Sequence, residues 1–174
     1  MTSLSKIRMF ALLRTTLFVI FVPGTVLVYL PWAMGVFRMR RELGWDILGV
    51  LPLGVGVFVL LRCAFAFAWE GEGTPAPIDA PRHLVIGGMY RYVRNPMYWG
   101  TFLILLGQWA LFAAPGWGAI RYIAVFVVLV HLFVVLYEEP ALRRQFGDEY
   151  EEYRRNVPRW IPGLKAWRAA AGGD

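Results

Sequence analysis

Gly88-Met89-Tyr90-Arg91-Tyr92-Val93-Arg94-Asn95-Pro96-Met97-Tyr98-Trp99-Gly100 is answered further along the chain by Tyr137-Glu138-Glu139-Pro140. Between them lie two apolar segments, about 98–114 and 122–137, turned by Ala114-Pro115-Gly116-Trp117-Gly118. Such a pair reads as a helical hairpin that leaves one face of a membrane and returns to it. The tyrosine- and arginine-rich turn at 82–100 therefore comes back beside the carboxylates. A site built that way holds a charged ligand against a lipid-embedded one.

Two further apolar segments precede the turn, at about 10–30 and 45–69. A spanning helix needs roughly 20 apolar residues, which these two meet and the last two approach. The fold class read from this is an all-α integral membrane protein with about four transmembrane helices and a cytoplasmic C-terminal amphipathic helical tail. Residues 1–174 form one domain without internal repeats. Composition agrees: 58% of the 174 residues are hydrophobic and mean hydropathy is +0.50, above the roughly 45–50% apolar content of soluble domains. Pro23 and Pro31 are candidate breaks in the first span. Lys6, Arg8 and Arg14 ahead of an apolar run resemble a signal peptide, but no small-residue cleavage site follows, so a retained helix is expected.

The net charge is +6, with the cations flanking apolar spans, where they set topology and meet anionic headgroups. No solvated basic domain exists to bind nucleic acid. With four spans, the basic excess puts both termini and the 70–97 connection in the cytoplasm; Arg38, Arg40 and Arg41 in the first connection oppose that weakly. The single cysteine, Cys63, excludes an internal disulfide and reads as a small packed hydrophobe.

Two segments do not span. Residues 71–81 are rich in proline and glycine and read as an irregular loop. Gly87-Gly88 permits a tight turn with positive φ, and Pro96 marks a helix start. In the tail, 138–162, Leu142, Phe146, Tyr150 and Tyr153 recur at helical spacing. That amphipathic face suits the membrane surface or the mouth of the bundle. Gly147 breaks the pattern, and Trp160 reads as an interfacial anchor.

Glu138 and Glu139 are read as closing the fourth span before Pro140. Adjacent helix residues point about 100° apart, so one faces the bundle and the other the tail. A carboxylate accepts hydrogen bonds and suits an ammonium group or a ribose diol; the plain alternative is a solvated helix end. Tyr90, Arg91, Tyr92, Arg94, Asn95 and Tyr98 crowd polar tips at a membrane face, as an interface belt or as a site. Free N–H groups after Asn95-Pro96 would suit an anion, and arginine clamps carboxylates. His83 is a stacking or hydrogen-bonding partner or merely structural. His131 reads as an interhelical contact. There is no glycine-rich nucleotide fingerprint and no metal-ligand set, so metal-free chemistry with an organic cofactor remains.

The strip from His83 to Gly100, the Glu138-Glu139 pair, Phe146-Gly147-Asp148-Glu149-Tyr150, Tyr153, and the stretch from Val157-Pro158 to Pro162 resemble the isoprenylcysteine carboxyl methyltransferase family. Asn95-Pro96-Met97-Tyr98-Trp99-Gly100 and Leu136-Tyr137-Glu138-Glu139-Pro140 equally resemble phosphatidylethanolamine N-methyltransferase, of the same superfamily. The resemblance covers about 82–162. It implies an S-adenosylmethionine-dependent membrane methyltransferase acting on a lipid or lipophilic acceptor in the bilayer, of the carboxylate or the phospholipid-amine type. It implies cofactor contacts from His83, Leu84, Val85, Gly88, Tyr90, Asn95, Pro96, Tyr98, Glu138 and Glu139. Arg94 and Arg154 would orient the acceptor, and Glu138 or Tyr98 would take a proton from an amine. Asn95 stands where many carboxyl methyltransferases have histidine, which leans toward the phospholipid branch. The rival readings are an NADPH-dependent sterol-type membrane reductase and a non-enzymatic four-helix transporter built on Arg62 and His131. The oligomeric state is left open.

Overall fold

The computed structural model describes residues 3–38, 45–75, 81–112 and 117–168. Arg40, Arg41, much of the 71–81 loop and residues 114–116 of the expected hairpin turn lie outside the described residues. All regular elements among the described residues are helical. Helix α1 (Ser3–Gly24) passes through a π turn, Thr25–Tyr29, into α2 (Leu30–Ala33), so Pro23 and Pro31 do not break the first apolar segment. A proline lacks an N–H and crowds the carbonyl four residues back; one wider turn between the two absorbs that strain.

A 3₁₀ turn (Trp45–Gly49) leads into α3 (Val50–Trp69). Helix α4 (Pro96–Phe112) opens on its proline, as the sequence indicates, and α5 (Gly118–Phe133) follows. The expectation that the fourth segment ends at Glu138-Glu139 is corrected. The chain runs on through a π turn, Val134–Glu138, into α6 (Glu139–Asn156), with Pro140 in its first turn. The widened turn accommodates the proline ring, so the carboxylates sit inside a continuing helix and meet no exposed dipole end. Among the described residues, three stretches are long and apolar enough to cross a membrane, Met9–Ala33, Ile47–Trp69 and Gly118–Asn156. Helix α4, with 17 residues, is about 25 Å long.

Helices α3 and α4 meet backbone to backbone. A Cβ added to Gly56 would lie 2.6 Å from the Gly100 carbonyl, and one added to Gly107 would lie 2.7 Å from the Gly49 carbonyl. Gly49 and Gly56, and Gly100 and Gly107, are each seven residues apart, which returns them to one helix face. Small residues at such a seam let helices pack closely where lipid supplies no hydrophobic drive. Polar side chains add directional ties. Pro31 has no N–H to offer the Leu27 carbonyl, and Gln108 Nε2 of α4 donates to it at 2.9 Å. Trp32 Nε1 donates in turn to Gln108 Oε1 at 3.3 Å, and Tyr122 of α5 donates to the Val26 carbonyl.

The kink expected at Gly147 is present, with φ 50° and ψ −123°. Beyond it the amphipathic face packs on the motif turn: Tyr150, Tyr153 and Val157 are buried against Leu84, Ile86, Leu142, Phe146 and Trp167. The chain then doubles back over the turn. Arg94 N donates to the Pro158 carbonyl at 2.9 Å, Gly163 N to Tyr92 O at 2.8 Å and Trp167 N to Arg91 O at 2.9 Å.

Gly100→Leu is expected to destabilise the protein by about 3 kcal/mol or more, because overpacking at a seam has no room to relax. Gly54→Leu, on the same helix as Gly56 but with open space around its Cα, is expected to change stability by less than about 0.5 kcal/mol. Thermal unfolding in detergent checks the contrast.

Candidate active site

The return of the tail over the turn brings Glu139 inward. It is buried, and its carboxylate receives two guanidinium groups. Arg159 reaches it twice, Nε to Oε1 at 2.6 Å and Nη2 to Oε2 at 2.9 Å. Arg94 Nη1 lies 2.9 Å from Oε1 and also donates to the Tyr150 hydroxyl at 3.3 Å. A two-point Arg–carboxylate contact fixes direction as well as distance. Asn95 Nδ2 donates to the Arg159 carbonyl at 3.1 Å, so the turn, α6 and the tail are joined around one acid.

Glu138 points the other way, as the 100° step requires. Its Oε2 accepts the Tyr98 hydroxyl at 2.8 Å, and both residues line a cavity of about 170 Å³. Leu84, Val85, Tyr90, Arg94 and Asn95 line it as well, with Met97, Phe133, Tyr137, Leu142 and Gln145. Its wall therefore combines apolar and aromatic side chains with a carboxylate and a guanidinium. Arg94 Nε is buried and has no hydrogen-bond partner among the described residues. A buried orphan donor is costly, and here it belongs to a side chain in the cavity wall. Tyr90 is held by Tyr153, whose hydroxyl donates to the Tyr90 carbonyl at 2.7 Å, and by an edge-on contact with Phe67 at 5.8 Å. Burial, then the neighbouring Cys63 thiol and Glu138 carboxylate, push the Tyr90 phenol well above its ordinary range. It acts as a neutral wall at physiological pH.

Of the residues singled out from sequence, Leu84, Val85, Tyr90, Arg94, Asn95, Tyr98 and Glu138 come together around the cavity. Glu139 stands behind it in the ion cluster. Pro96 is buried as the first residue of α4 and is not among the residues lining this cavity. Gly88 adopts the positive φ expected of it, +53°, and faces a different cavity. His83 is exposed and outside the cavity lining. Arg154 pairs with Glu151, Nη2 to Oε2 at 2.8 Å, and does not reach the cavity lining. His131 accepts from Trp160 Nε1 at 3.2 Å, and Trp99 Nε1 donates to the Trp160 carbonyl at 2.6 Å. Trp160 is thus tied to the α4–α5 hairpin. The structure adds Arg159 and Gln145, which the sequence does not single out as site residues. The proline on each side of the Arg159 stretch, Pro158 and Pro162, was the available sign of a fixed, extended segment.

A sequence profile of the phospholipid methyltransferase family matches residues 46–149. The chain is 32% identical over 130 residues to a methanethiol S-methyltransferase of Crocosphaera subtropica, an overlap covering 73% of this chain and 46% of that protein. It is 38% identical over 81 residues to a protein-S-isoprenylcysteine O-methyltransferase of Schizosaccharomyces pombe, covering 45% and 33%. It is 34% identical over 95 residues to the phosphatidylethanolamine N-methyltransferase of Homo sapiens, covering 53% and 46%. The chain spans less than half the length of each of these relatives. No solved structure matches it.

Glu139→Gln is expected to cost about 3 kcal/mol, since it leaves two guanidinium groups, one of them buried, without their counter-charge. Arg154→Gln removes only a solvent-screened pair with Glu151 and is expected to leave the unfolding midpoint nearly unchanged. Chemical denaturation of the two variants in one detergent measures the difference.

Proposed function

The chain belongs to the phospholipid methyltransferase family, and we propose that it transfers a methyl group from S-adenosylmethionine to a lipophilic acceptor in the cavity between the motif turn and α6. The observation that carries this is the Tyr98–Glu138 pair in the wall of a cavity that Arg94 and several apolar and aromatic side chains also line. The relatives are named for three acceptors, a small thiol, a prenylated cysteine and a phospholipid amine. For this chain the class is a lipophile with a nucleophilic end.

The cavity suits the cofactor by its donor set. Leu84, Val85, Met97 and Phe133 offer apolar surface for a purine. Glu138 offers an acceptor for a ribose diol or an ammonium group, and the unpartnered Arg94 Nε offers a donor for a carboxylate. When bound, the cofactor supplies an electrophilic methyl on sulfur, displaced in line by the acceptor.

What the chain contributes is alignment and exclusion of water, which supply most of the rate in such a transfer. The Tyr98 hydroxyl fixes the orientation of the Glu138 carboxylate. A thiol or amine acceptor sheds its proton to the free Glu138 oxygen, whereas a carboxylate acceptor needs no base. Arg94, held by Glu139 and Tyr150, takes the positioning role in this proposal, and Arg154 takes none. The Glu138 carboxylate in the cavity wall disfavours the 2′-phosphate of NADPH, which speaks against the reductase reading. We take α4 as a fourth crossing, with both termini and the cavity on the cytoplasmic side. The glycine seam to α3 and the basic excess on that side support it.

Calorimetry on detergent-purified protein tests the proposal. Saturable S-adenosylmethionine binding is expected, weakened about tenfold (about 1.4 kcal/mol) by Glu138→Gln, with NADPH failing to compete. Preferential binding of NADPH, or no S-adenosylmethionine binding by a sample with an intact unfolding transition, would overturn it.

A further inference from the structure

Tyr90 is a wall shared by two cavities. On its far side, against the outer face of α3, lies a cavity of about 360 Å³ lined by Phe58, Arg62, Glu70, Gly88, Arg91 and Tyr92 among others. Two guanidinium groups and one carboxylate face it. Among the described residues, Arg62, Arg91 and Glu70 form no ion pair with one another or with any other side chain. Arg91 uses its Nε on the Trp167 carbonyl at 2.9 Å, which fixes the side chain at the cavity. Arg62 sits seven residues before the end of α3 at Trp69, about 10 Å below that end. Its guanidinium lies over the Phe65 ring at 6.0 Å, towards Trp69 and the motif turn. A cation at that depth faces a polar cavity and a partner, or it is expensive.

We propose that this second cavity binds the headgroup of a zwitterionic membrane phospholipid, its phosphate between Arg62 and Arg91 and its cationic end at Glu70. Charge sets the class: two cations match a phosphodiester, and one carboxylate matches an ammonium group. The missing side chain at Gly87 makes room for the acid, since a Cβ there would lie 2.8 Å from the Glu70 carboxyl carbon. Phe58, with the exposed Val55, Leu61 and Phe65 beside it, gives the acyl chains an apolar path along α3. Tyr90 separates this lipid from the Tyr98–Glu138 pair, so it is a bound partner of the turn and not the methyl acceptor. Through Tyr90 and the Arg91–Trp167 tie, its headgroup bears on the wall of the proposed cofactor cavity.

The test uses the full chain in detergent, stripped of lipid and titrated with phosphatidylethanolamine, phosphatidylglycerol or diacylglycerol, with bound lipid counted by native mass spectrometry. One phosphatidylethanolamine is expected to bind about tenfold more tightly than diacylglycerol. Arg62→Gln is expected to weaken both phospholipids, and Glu70→Gln only phosphatidylethanolamine. Both residues lie outside the proposed cofactor cavity, so S-adenosylmethionine binding and thermal unfolding report on folding and on the functional reading separately. Unchanged lipid binding in Arg62→Gln would overturn the proposal, as would a preference for phosphatidylglycerol. Competition by glycerophosphoethanolamine as strong as by the intact lipid would replace the lipid by a soluble phosphate ester and overturn it too.

Discussion

The buried carboxylate of Glu139 is the joint on which the candidate site depends. Arg94 comes from the motif turn and Arg159 from the returning tail; without Glu139 the two guanidinium groups would repel each other. With it, three segments distant in sequence are held within hydrogen-bond distance of one another. The net worth of a buried ion cluster is modest against an apolar alternative, but losing one member strands a charge in a poorly solvated place. The cluster therefore specifies an arrangement more than it adds stability. What it specifies is the position of Arg94 in the cavity wall and of the Pro158–Trp160 stretch across the mouth of the α4–α5 hairpin.

A second constraint lies deeper. Lipid offers helices no hydrophobic reason to associate, so contact must come from close packing and interhelical hydrogen bonds. Glycines at seven-residue spacing bring α3 and α4 together, which sets the exits of both helices, and hence the two ends of the motif turn, at a fixed separation. The two π turns serve the same purpose locally. One lets the first apolar segment carry two prolines. The other carries the polypeptide past Pro140, so that Glu138 and Glu139 point to the cavity and to the ion cluster from within one helix.

The sequence made much of this legible because apolar length and polar crowding are local signals. The described residues of the segments at 10–30, 45–69, 98–114 and 122–137 fall on helices, and the opposed directions of Glu138 and Glu139 follow from helical geometry alone. The continuation of the helix past Pro140 was not legible, since a proline after two acids reads as a stop unless the preceding turn widens. Nor was the pairing of Arg159 with Glu139. It depends on the tail doubling back, a tertiary event with no periodicity to announce it. Arg154, the tail cation that the resemblance singles out, and Arg159 differ in where the direction of α6 after Gly147 carries them. The glycine seam was written in the spacing of Gly49, Gly56, Gly100 and Gly107, but a spacing becomes a contact only once the two helices are known to be neighbours.

The most direct measurement is residue-resolved amide hydrogen exchange on wild type and Glu139→Gln in the same detergent. The Arg94, Gly163 and Trp167 amides, which bond across the turn–tail junction, are expected to lose protection together in the variant. The amides of α3 and α4 are expected to keep theirs. Protection retained at all three positions in Glu139→Gln would show that the junction holds without its carboxylate and would contradict the account.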